Sequence, residues 1–324
     1  MPTRLTLQTP ADFDLPRAVC SYGYFLLAPN RWSPADQSFR RPLWLDDSVA
    51  NVTVTQSGAG VPVRVAVDRR LDRREQSLAK RQLTRVLRLD ADLSSWRRKH
   101  PAAKRRGFGR MFRSPDLWED MVKTITGCNV TWRNTITMNR LLVERIGGGA
   151  FPTPGQVARL TPSRLKARCR VGYRAARILR LARAIESGEV DLAWLESTDR
   201  TTDELYAELL SRDGFGSYAA ANVLTLLGRY DRVPIDTETY RHYCQATGRE
   251  RPASDKELDP EIIEHYGRYA PFQFLAYWFD LWRDYERRYG DAWTWDRDTT
   301  GASFTASVLN APQGQPTNRR RNAD

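Results

Sequence analysis

Hydrophobic and polar positions follow two different periods along the chain. Between residues 20 and 67, apolar and polar residues alternate over short runs, and the predicted strands are Tyr22–Leu27, Ser38–Leu45, Val52–Thr55 and Val61–Val67. From Asp68 to about Asp291 the apolar residues recur at helical spacing. The pattern predicts an α+β protein that is mostly α, with an N-terminal antiparallel β-sheet ahead of a helical part.

Local signals place the boundaries within this pattern. Capping residues followed by proline or an acid predict helix starts at Ser114-Pro115-Asp116, Thr153-Pro154, Thr161-Pro162 and Thr201–Asp203. Glycines at 147–149, 188 and 228 predict helix ends. We therefore predict a β-rich domain over residues 1–88, a helical domain over residues 89–298 and a disordered polar tail over residues 299–324.

Composition narrows the class of protein. The 324 residues are 41% hydrophobic and 28% charged, which excludes disorder of the whole chain and predicts a soluble protein. No window approaches the roughly 20 apolar residues of a membrane helix, and the N-terminus lacks the apolar stretch of a secretion signal. We expect an intracellular protein, cytoplasmic and associated with the nucleoid, or nuclear. Its four scattered cysteines favour reduced thiols over a zinc or iron–sulfur site.

The surplus positive charge is confined to two segments. The formal net charge is +12, and residues 97–113 and 164–183 each carry eight Lys or Arg residues and no acid. Such clustering is typical of a polyanion-binding surface, with nucleic acid favoured over an anionic membrane. The alternative is compositional drift, because the chain carries 45 Arg and only six Lys residues.

A helical run stops at Gly214-Phe215-Gly216 and a second run starts at once, which predicts a helix–hairpin–helix. Two glycines allow a tight turn close to a ligand, and the following helix N-terminus offers free N–H groups to a phosphate. Twenty residues after Gly216, Asp236 follows an apolar Val-Pro-Ile segment and opens the next helix. With this sequel the sequence resembles the HhH-GPD superfamily of DNA glycosylases.

The resemblance extends over roughly residues 13–295. The segment from Leu117 to Asn129 is similar to the helix that leads to the family's DNA wedge, and Val171–Ala175 is similar to a segment of the 8-oxoguanine DNA glycosylases. The β-rich N-terminal part resembles the extra domain of that branch and of 3-methyladenine-DNA glycosylase II. The cysteine cluster of the endonuclease III and adenine glycosylase branches is absent, so the resemblance implies no iron–sulfur cofactor.

The resemblance implies a catalytic role for Asp236 and a substrate pocket that includes Tyr218 and Asn222. A carboxylate near the sugar would stabilise the oxocarbenium-like charge of the transition state and orient water. The alternative for Asp236 is a helix cap alone, and for Tyr218 simple packing. Bifunctional relatives carry a Schiff-base lysine where this chain has Tyr218, so we expect a monofunctional enzyme.

The resemblance also implies which residues contact DNA. Gly214, Phe215, Gly216 and Ser217 would hold the backbone, and a monovalent cation is expected at the main-chain carbonyls of Leu210, Arg212 and Phe215. Asn129 would fill the gap left by a flipped nucleotide, with Tyr173 and Arg174 beside the estranged base and Arg177 on the same charged helix face. The alternative for Asn129 is a polar helix terminus.

Glu238 departs from the family pattern, because many relatives have a phosphate-contacting histidine there. A carboxylate at this position would repel the phosphate, which puts that DNA contact in doubt. The aromatic-rich segment from Tyr266 to Trp282 is interpreted as core more than as a base-stacking box.

Together these features predict a monofunctional base-excision-repair DNA glycosylase that acts as a monomer on damaged double-stranded DNA. The expected substrate is an alkylated purine, because cationic bases leave easily and contact aromatic rings favourably. The alternatives are an 8-oxoguanine-type glycosylase and a non-catalytic helix–hairpin–helix DNA-binding protein.

Overall fold

An antiparallel sheet forms the N-terminal part of the computed structural model, which describes residues 2–300. Its strands are β1 (Arg4–Leu7), β2 (Arg31–Ser33), β3 (Ser38–Leu45), β4 (Ser48–Thr55) and β5 (Val63–Val67). They lie in the order β1-β5-β4-β3-β2. Alternation fixes which face is buried, since Val63, Val65 and Val67 point inward while Arg64 and Ala66 between them are exposed.

Three of the four predicted strands are confirmed, and the first is wrong. Residues Gly23–Leu26 form a short 3-10 helix, with i→i+3 bonds from Phe25 N–H to the Tyr22 carbonyl and from Leu27 N–H to the Tyr24 carbonyl. Most of this apolar run is buried, so its sequence carries no alternation that separates strand from helix. Strands β1 and β2 were not predicted.

Helices make up most of the remaining chain, as predicted. They are α1 (Leu15–Val19), α2 (Arg73–Leu87), α3 (Ser94–Lys99), α4 (Pro101–Arg105), α5 (Leu117–Gly127), α6 (Trp132–Arg145), α7 (Pro154–Ala158), α8 (Pro162–Cys169), α9 (Arg174–Glu186), α10 (Leu192–Leu195), α11 (Thr202–Ser211), α12 (Ser217–Leu227), α13 (Thr237–Thr247), α14 (Asp259–Gly267) and α15 (Gln273–Tyr289). None of these helices, within residues 2–300, is long and apolar enough to cross a membrane.

The predicted helix starts are confirmed by their caps. Asp116 accepts a hydrogen bond from the Glu119 N–H, Thr161 accepts one from the Arg164 N–H, and Thr153 and Thr201 each open a reciprocal capping box. At the other end of α12, Gly228 takes the left-handed conformation (φ +91°) that favours glycine.

Two apolar cores hold the elements together. One joins the buried face of the sheet to α2, α14 and α15, and the other lies among α5, α6, α9, α11 and α12. The predicted boundary after residue 88 coincides with the end of α2, but the first core crosses it and unites the sheet with the C-terminal helices. Residues 301–324, most of the predicted tail, lie outside the described residues.

A buried ion cluster joins the sheet to the helical part. Arg41 of β3 reaches Glu119 of α5 (Nη2 to Oε2, 2.8 Å), and Lys123, one turn further along α5, reaches the same carboxylate (Nζ to Oε1, 2.6 Å). All three side chains are at most 2% exposed. The cluster fixes α5, and with it the loop that follows α5, against the N-terminal sheet.

Candidate functional site

The predicted hairpin joins α11 to α12 and forms one wall of an open cleft. Gly214 adopts φ +98°, and a Cβ on it would lie 3.0 Å from the Arg177 side chain, so only glycine fits without strain. Phe215 is buried in the helical core and anchors the turn. Gly216 caps α12 without a side-chain hydrogen bond, so the first N–H groups of α12 have no side-chain acceptor, and Ser217 at this end of the helix lines the cleft. The hairpin therefore presents main-chain donors, as an anion site requires.

Asn129 faces the hairpin across the same cleft. It is exposed, lies between α5 and α6 and has φ +49°, a left-handed conformation that asparagine tolerates. The Arg174 guanidinium donates to the main-chain carbonyls of Cys128 and Asn129 and so holds this loop. Arg174 itself is 6% exposed. Two loop carbonyls accept from its Nη2 group, so Arg174 positions this loop, and its expected place beside the estranged base stays a prediction.

The charged face of α9 meets the cleft at one point. Tyr173 is exposed, and the Arg174 and Arg177 guanidinium groups lie 4.5 and 4.9 Å from its ring centroid. Arg177 lines the cleft. Arg180 instead pairs with Asp213, and Arg183 donates to carbonyls of the α7–α8 connection. Of these four arginines, Arg177 lines the cleft, whereas Arg180 and Arg183 are exposed outside it.

Asp236 lies between the cleft and a second cavity. Its Oδ1 accepts hydrogen bonds from the Glu238 N–H (3.0 Å), the Thr239 N–H (2.9 Å) and the Thr239 hydroxyl (3.0 Å), which caps α13. The same residue lines both the cleft and the cavity. Burial raises the pKa of the Asp236 carboxyl above its ordinary value, against the lowering effect of the Thr239 hydrogen bonds. Asp236 thus caps α13 and also lines the cleft, and its catalytic role stays a prediction.

The second cavity has a volume of about 340 Å³ and aromatic walls. Aromatic side chains from both ends of the chain line it: Tyr22, Tyr24, Trp132, Tyr218, Tyr277, Trp278, Trp282 and Tyr285. Tyr218 also lines the cleft, so its ring stands with Asp236 at the boundary of the two spaces. Burial raises the pKa of the Tyr218 phenol far above its ordinary value, and the nearby Asp236 charge adds to this. A flat apolar ligand of one or two rings fits such walls.

Asn222 forms part of the cavity floor through a closed polar network. Its Oδ1 accepts from the Tyr22 hydroxyl (2.5 Å), and its Nδ2 donates to the Tyr24 hydroxyl (3.2 Å) and the Thr124 hydroxyl (3.0 Å). These bonds consume both amide N–H donors. Asn222 therefore lines the cavity and orients the two tyrosines, and its role in binding a substrate stays a prediction.

The sequence interpretation missed several residues of the cavity. Tyr22 and Tyr24 come from the segment mistaken for a strand. Trp278 and Trp282 pack in the core and also line the cavity. Their indole N–H groups bond to the Ser21 and Cys20 carbonyls, which fixes the two rings. Sequence spacing carries no signal for these contacts, because they join residues more than 250 positions apart.

Glu238 lies in the cavity, away from the hairpin cleft. Arg241 approaches its carboxylate at 2.6 to 2.9 Å, and the Tyr285 hydroxyl donates to it at 2.7 Å. The doubt raised by its charge concerned a phosphate in the cleft. Glu238 is among the lining residues of the cavity and is not among those of the cleft, where Asp236 and Thr237 lie with the hairpin.

The hairpin carbonyls expected to hold a cation belong to residues that line the cleft. Leu210, Arg212 and Phe215 all lie along it. The Arg212 carbonyl already accepts a hydrogen bond from the Phe215 N–H (3.2 Å). A carbonyl oxygen has a second lone pair, so this contact is compatible with cation binding.

Comparison with known proteins identifies the fold. No protein-family model and no curated protein matches the sequence. Among solved structures, 3-methyladenine DNA-glycosylase from Archaeoglobus fulgidus is 20% identical with a TM-score of 0.65, over 86% of this chain and 98% of that one. The Clostridium acetobutylicum 8-oxoguanine glycosylase/lyase is 16% identical with a TM-score of 0.63, over the same shares. The chain therefore has the same fold as these two solved DNA glycosylases.

Proposed function

We propose that the protein is a DNA N-glycosylase that hydrolyses the bond between a damaged base and its sugar. The observation that carries this proposal is the position of Asp236 between a cleft with main-chain donors and an aromatic cavity. A backbone held in the cleft and a base turned into the cavity would leave the glycosidic bond beside this carboxylate. An enzyme must extrude a base from the duplex to reach that bond.

The partner that fits the cleft is damaged double-stranded DNA. The hairpin donors suit a phosphate, and Asn129 stands opposite them at the exposed tip of a loop that could enter the base stack. A cation on the hairpin carbonyls would strengthen the phosphate contact. The Clostridium acetobutylicum structure has also been solved with double-stranded DNA containing cytosine opposite 8-oxoguanine. We propose that the protein acts on such a partner as a monomer.

In this proposal Asp236 stabilises positive charge on the sugar as the bond to the base breaks. The carboxylate is held by three hydrogen bonds, so it needs little reorganisation when that charge develops. Burial that raises its pKa also keeps water from screening the interaction. Water then attacks the sugar carbon, and its proton passes to the carboxylate or to solvent.

Water is the proposed nucleophile because, among residues 2–300, no accessible amine lines the cavity. Tyr218 lies at the boundary of cleft and cavity, where bifunctional glycosylases are expected to carry their lysine. Its phenol cannot form a Schiff base. Lys123 also lines the cavity, but its ammonium is fully buried and bound to Glu119 at 2.6 Å. The product would be an abasic site in an unbroken strand.

An alkylated purine is the proposed lesion. Electron-rich rings on several sides of the cavity favour a positively charged base, by roughly 0.5–2 kcal/mol for each cation–π contact. Alkylation also weakens the glycosidic bond, so little protonation of the leaving base is needed. The second candidate is 8-oxoguanine, favoured by the Val171–Ala175 segment that resembles enzymes of that branch.

The test is base release from duplexes that each contain one lesion, measured as abasic sites after mild alkali in single-turnover reactions. We expect release of 3-methyladenine or 7-methylguanine to be faster than release of 8-oxoguanine opposite cytosine. Asp236→Asn should lower the rate by about 10²–10³-fold, since the amide carries no charge to stabilise the sugar.

Two features make this substitution informative. Asparagine caps helices as well as aspartate, so α13 should remain folded, and DNA affinity should be unchanged or higher. The matched control is Asp90→Asn, an exposed carboxylate far from both spaces. Retention of near-wild-type turnover by Asp236→Asn would refute the catalytic assignment, and binding without release by the wild type would favour the non-catalytic alternative.

A further inference from the structure

Glu238 is placed differently from the catalytic candidate two residues before it. Asp236 lines both the cleft and the aromatic cavity, whereas Glu238 lines the cavity alone. The Glu238 side chain is 21% exposed. A carboxylate at this place faces whatever fills the cavity.

The carboxylate is held rigidly, and unequally, by its partners. Its Oε1 accepts from Arg241 Nε (2.9 Å), Arg241 Nη2 (2.6 Å) and the Tyr285 hydroxyl (2.7 Å). Its Oε2 accepts from Arg241 Nε at 2.8 Å. Arg241 is fixed in turn by Asp284 (3.3 Å) and Gln245 (2.5 Å). A carboxylate oxygen has room for two or more donors, so Oε2 keeps acceptor capacity that Oε1 has used.

At Glu238 the cavity offers a hydrogen-bond acceptor, because a carboxylate accepts hydrogen bonds and donates none. The rings around it favour cations for the same electrostatic reason. We propose that Glu238 is a specificity-determining residue, whose Oε2 accepts a hydrogen bond from an N–H group of the flipped base. The inference rests on the proposed glycosylase function and selects bases that combine positive charge with an N–H donor.

Two damaged bases distinguish recognition through Glu238 from recognition by aromatic stacking alone. 7-Methylguanine in DNA carries a positive charge and N–H donors on its pairing edge. 1,N6-ethenoadenine is neutral, offers no N–H there and has a larger ring surface to stack. A cavity that only stacks would prefer the etheno base, whereas Glu238 should reverse that preference.

The experiment measures binding of the full chain to short duplexes that contain one or the other lesion on a 2′-fluoro sugar. The fluorine withdraws electrons and stops cleavage, so affinity is read without turnover. We expect the wild type to bind the 7-methylguanine duplex at least threefold more tightly. Glu238→Gln should lower this ratio about tenfold, as expected for loss of a hydrogen bond to a charged group.

Glutamine keeps the size of the side chain and an oxygen for Arg241 and Tyr285. Glu264→Gln, at an exposed position, is the matched control and should leave the ratio unchanged. A ratio within twofold of wild type in folded Glu238→Gln would overturn the inference. So would a wild-type protein without preference for 7-methylguanine, a result that needs no variant. Base release on the natural sugars reports separately on the proposed function.

Discussion

The buried ion cluster between β3 and α5 predicts a large loss of stability when its central carboxylate is neutralised. Glu119 contacts Arg41 at 2.8 Å and Lys123 at 2.6 Å, and no side chain of the three is more than 2% exposed. Glu119→Gln keeps the volume and an acceptor oxygen but removes the negative charge. Two buried cations then remain with no carboxylate between them.

The size of the expected stability loss depends on the contacts that Arg41 and Lys123 keep in the variant. Arg41 still bonds to Asn30 Oδ1 at 2.8 Å, whereas Lys123 keeps a long contact to Ser114 at 3.4 Å and two aromatic rings at 5.8 Å. Removing one partner of a buried ion pair costs about 3–5 kcal/mol, and we expect Glu119→Gln to lie in this range. That is a large part of the roughly 5–15 kcal/mol by which domains are stable. Lys123→Met should cost less, since it leaves Glu119 paired with Arg41.

Equilibrium unfolding in urea measures this difference, with tryptophan fluorescence and circular dichroism as separate probes. The control is Glu144→Gln, which breaks a helix-surface pair with Arg140 whose side chains are 45% and 49% exposed. Such a pair contributes about 0–1 kcal/mol. Suppose that Glu119→Gln lowers the free energy of unfolding no more than this control does, and that the dependence of this free energy on urea concentration is unchanged. The ion cluster then does not stabilise the contact between the sheet and α5.

Two further predictions concern single groups. No covalent complex should be trapped with borohydride on DNA, because Tyr218 provides no amine and the Lys123 amine is buried against Glu119; an adduct mapped to any lysine would contradict the monofunctional proposal. Burial lowers the pKa of His242 to about 4, although Asp284 acts in the opposite direction. Between pH 6.5 and pH 4 the imidazole is protonated in the unfolded chain but stays neutral in the folded chain. Up to about 3 kcal/mol of folding stability is therefore present above pH 6.5 and lost as the pH falls toward 4. The stability of His242→Gln should change less between pH 7 and pH 4.5, and parallel pH profiles for variant and wild type would refute this assignment.

Local features of the fold were predictable because their causes are local. The caps at Asp116, Thr153 and Thr201 and the glycine at 228 act within one helical turn, and the structure has each of them. The hairpin was predicted for a similar reason, since its two glycines lie between two adjacent helical runs, whereas the role proposed for Asp236 came from the resemblance to the glycosylases. Tyr22–Leu27 failed because a run buried on all sides has no period.

The aromatic cavity could not be derived from the sequence in the same way. Its walls are brought together by packing between distant segments, and no local pattern marks Tyr22 or Trp278 as neighbours. Arg174 was misplaced for the same reason. Its position in a basic block indicated a surface charge, but the side chain is buried, and its Nη2 group donates to two loop carbonyls 45 and 46 positions earlier.

The aromatic cavity has a consequence for how the chain acquires it. The bond between Tyr22 and Asn222 spans 200 residues, and that between Trp278 and Ser21 spans 257. Contacts of such sequence separation carry the largest loop-closure cost and form after the local helices. During synthesis the N-terminal wall therefore leaves the ribosome long before its partners exist. The hairpin can form early as a local unit, but the space that would receive a base closes only when α15 packs against the N-terminal segment. Premature termination before α15 would thus leave a hairpin without an enclosed pocket.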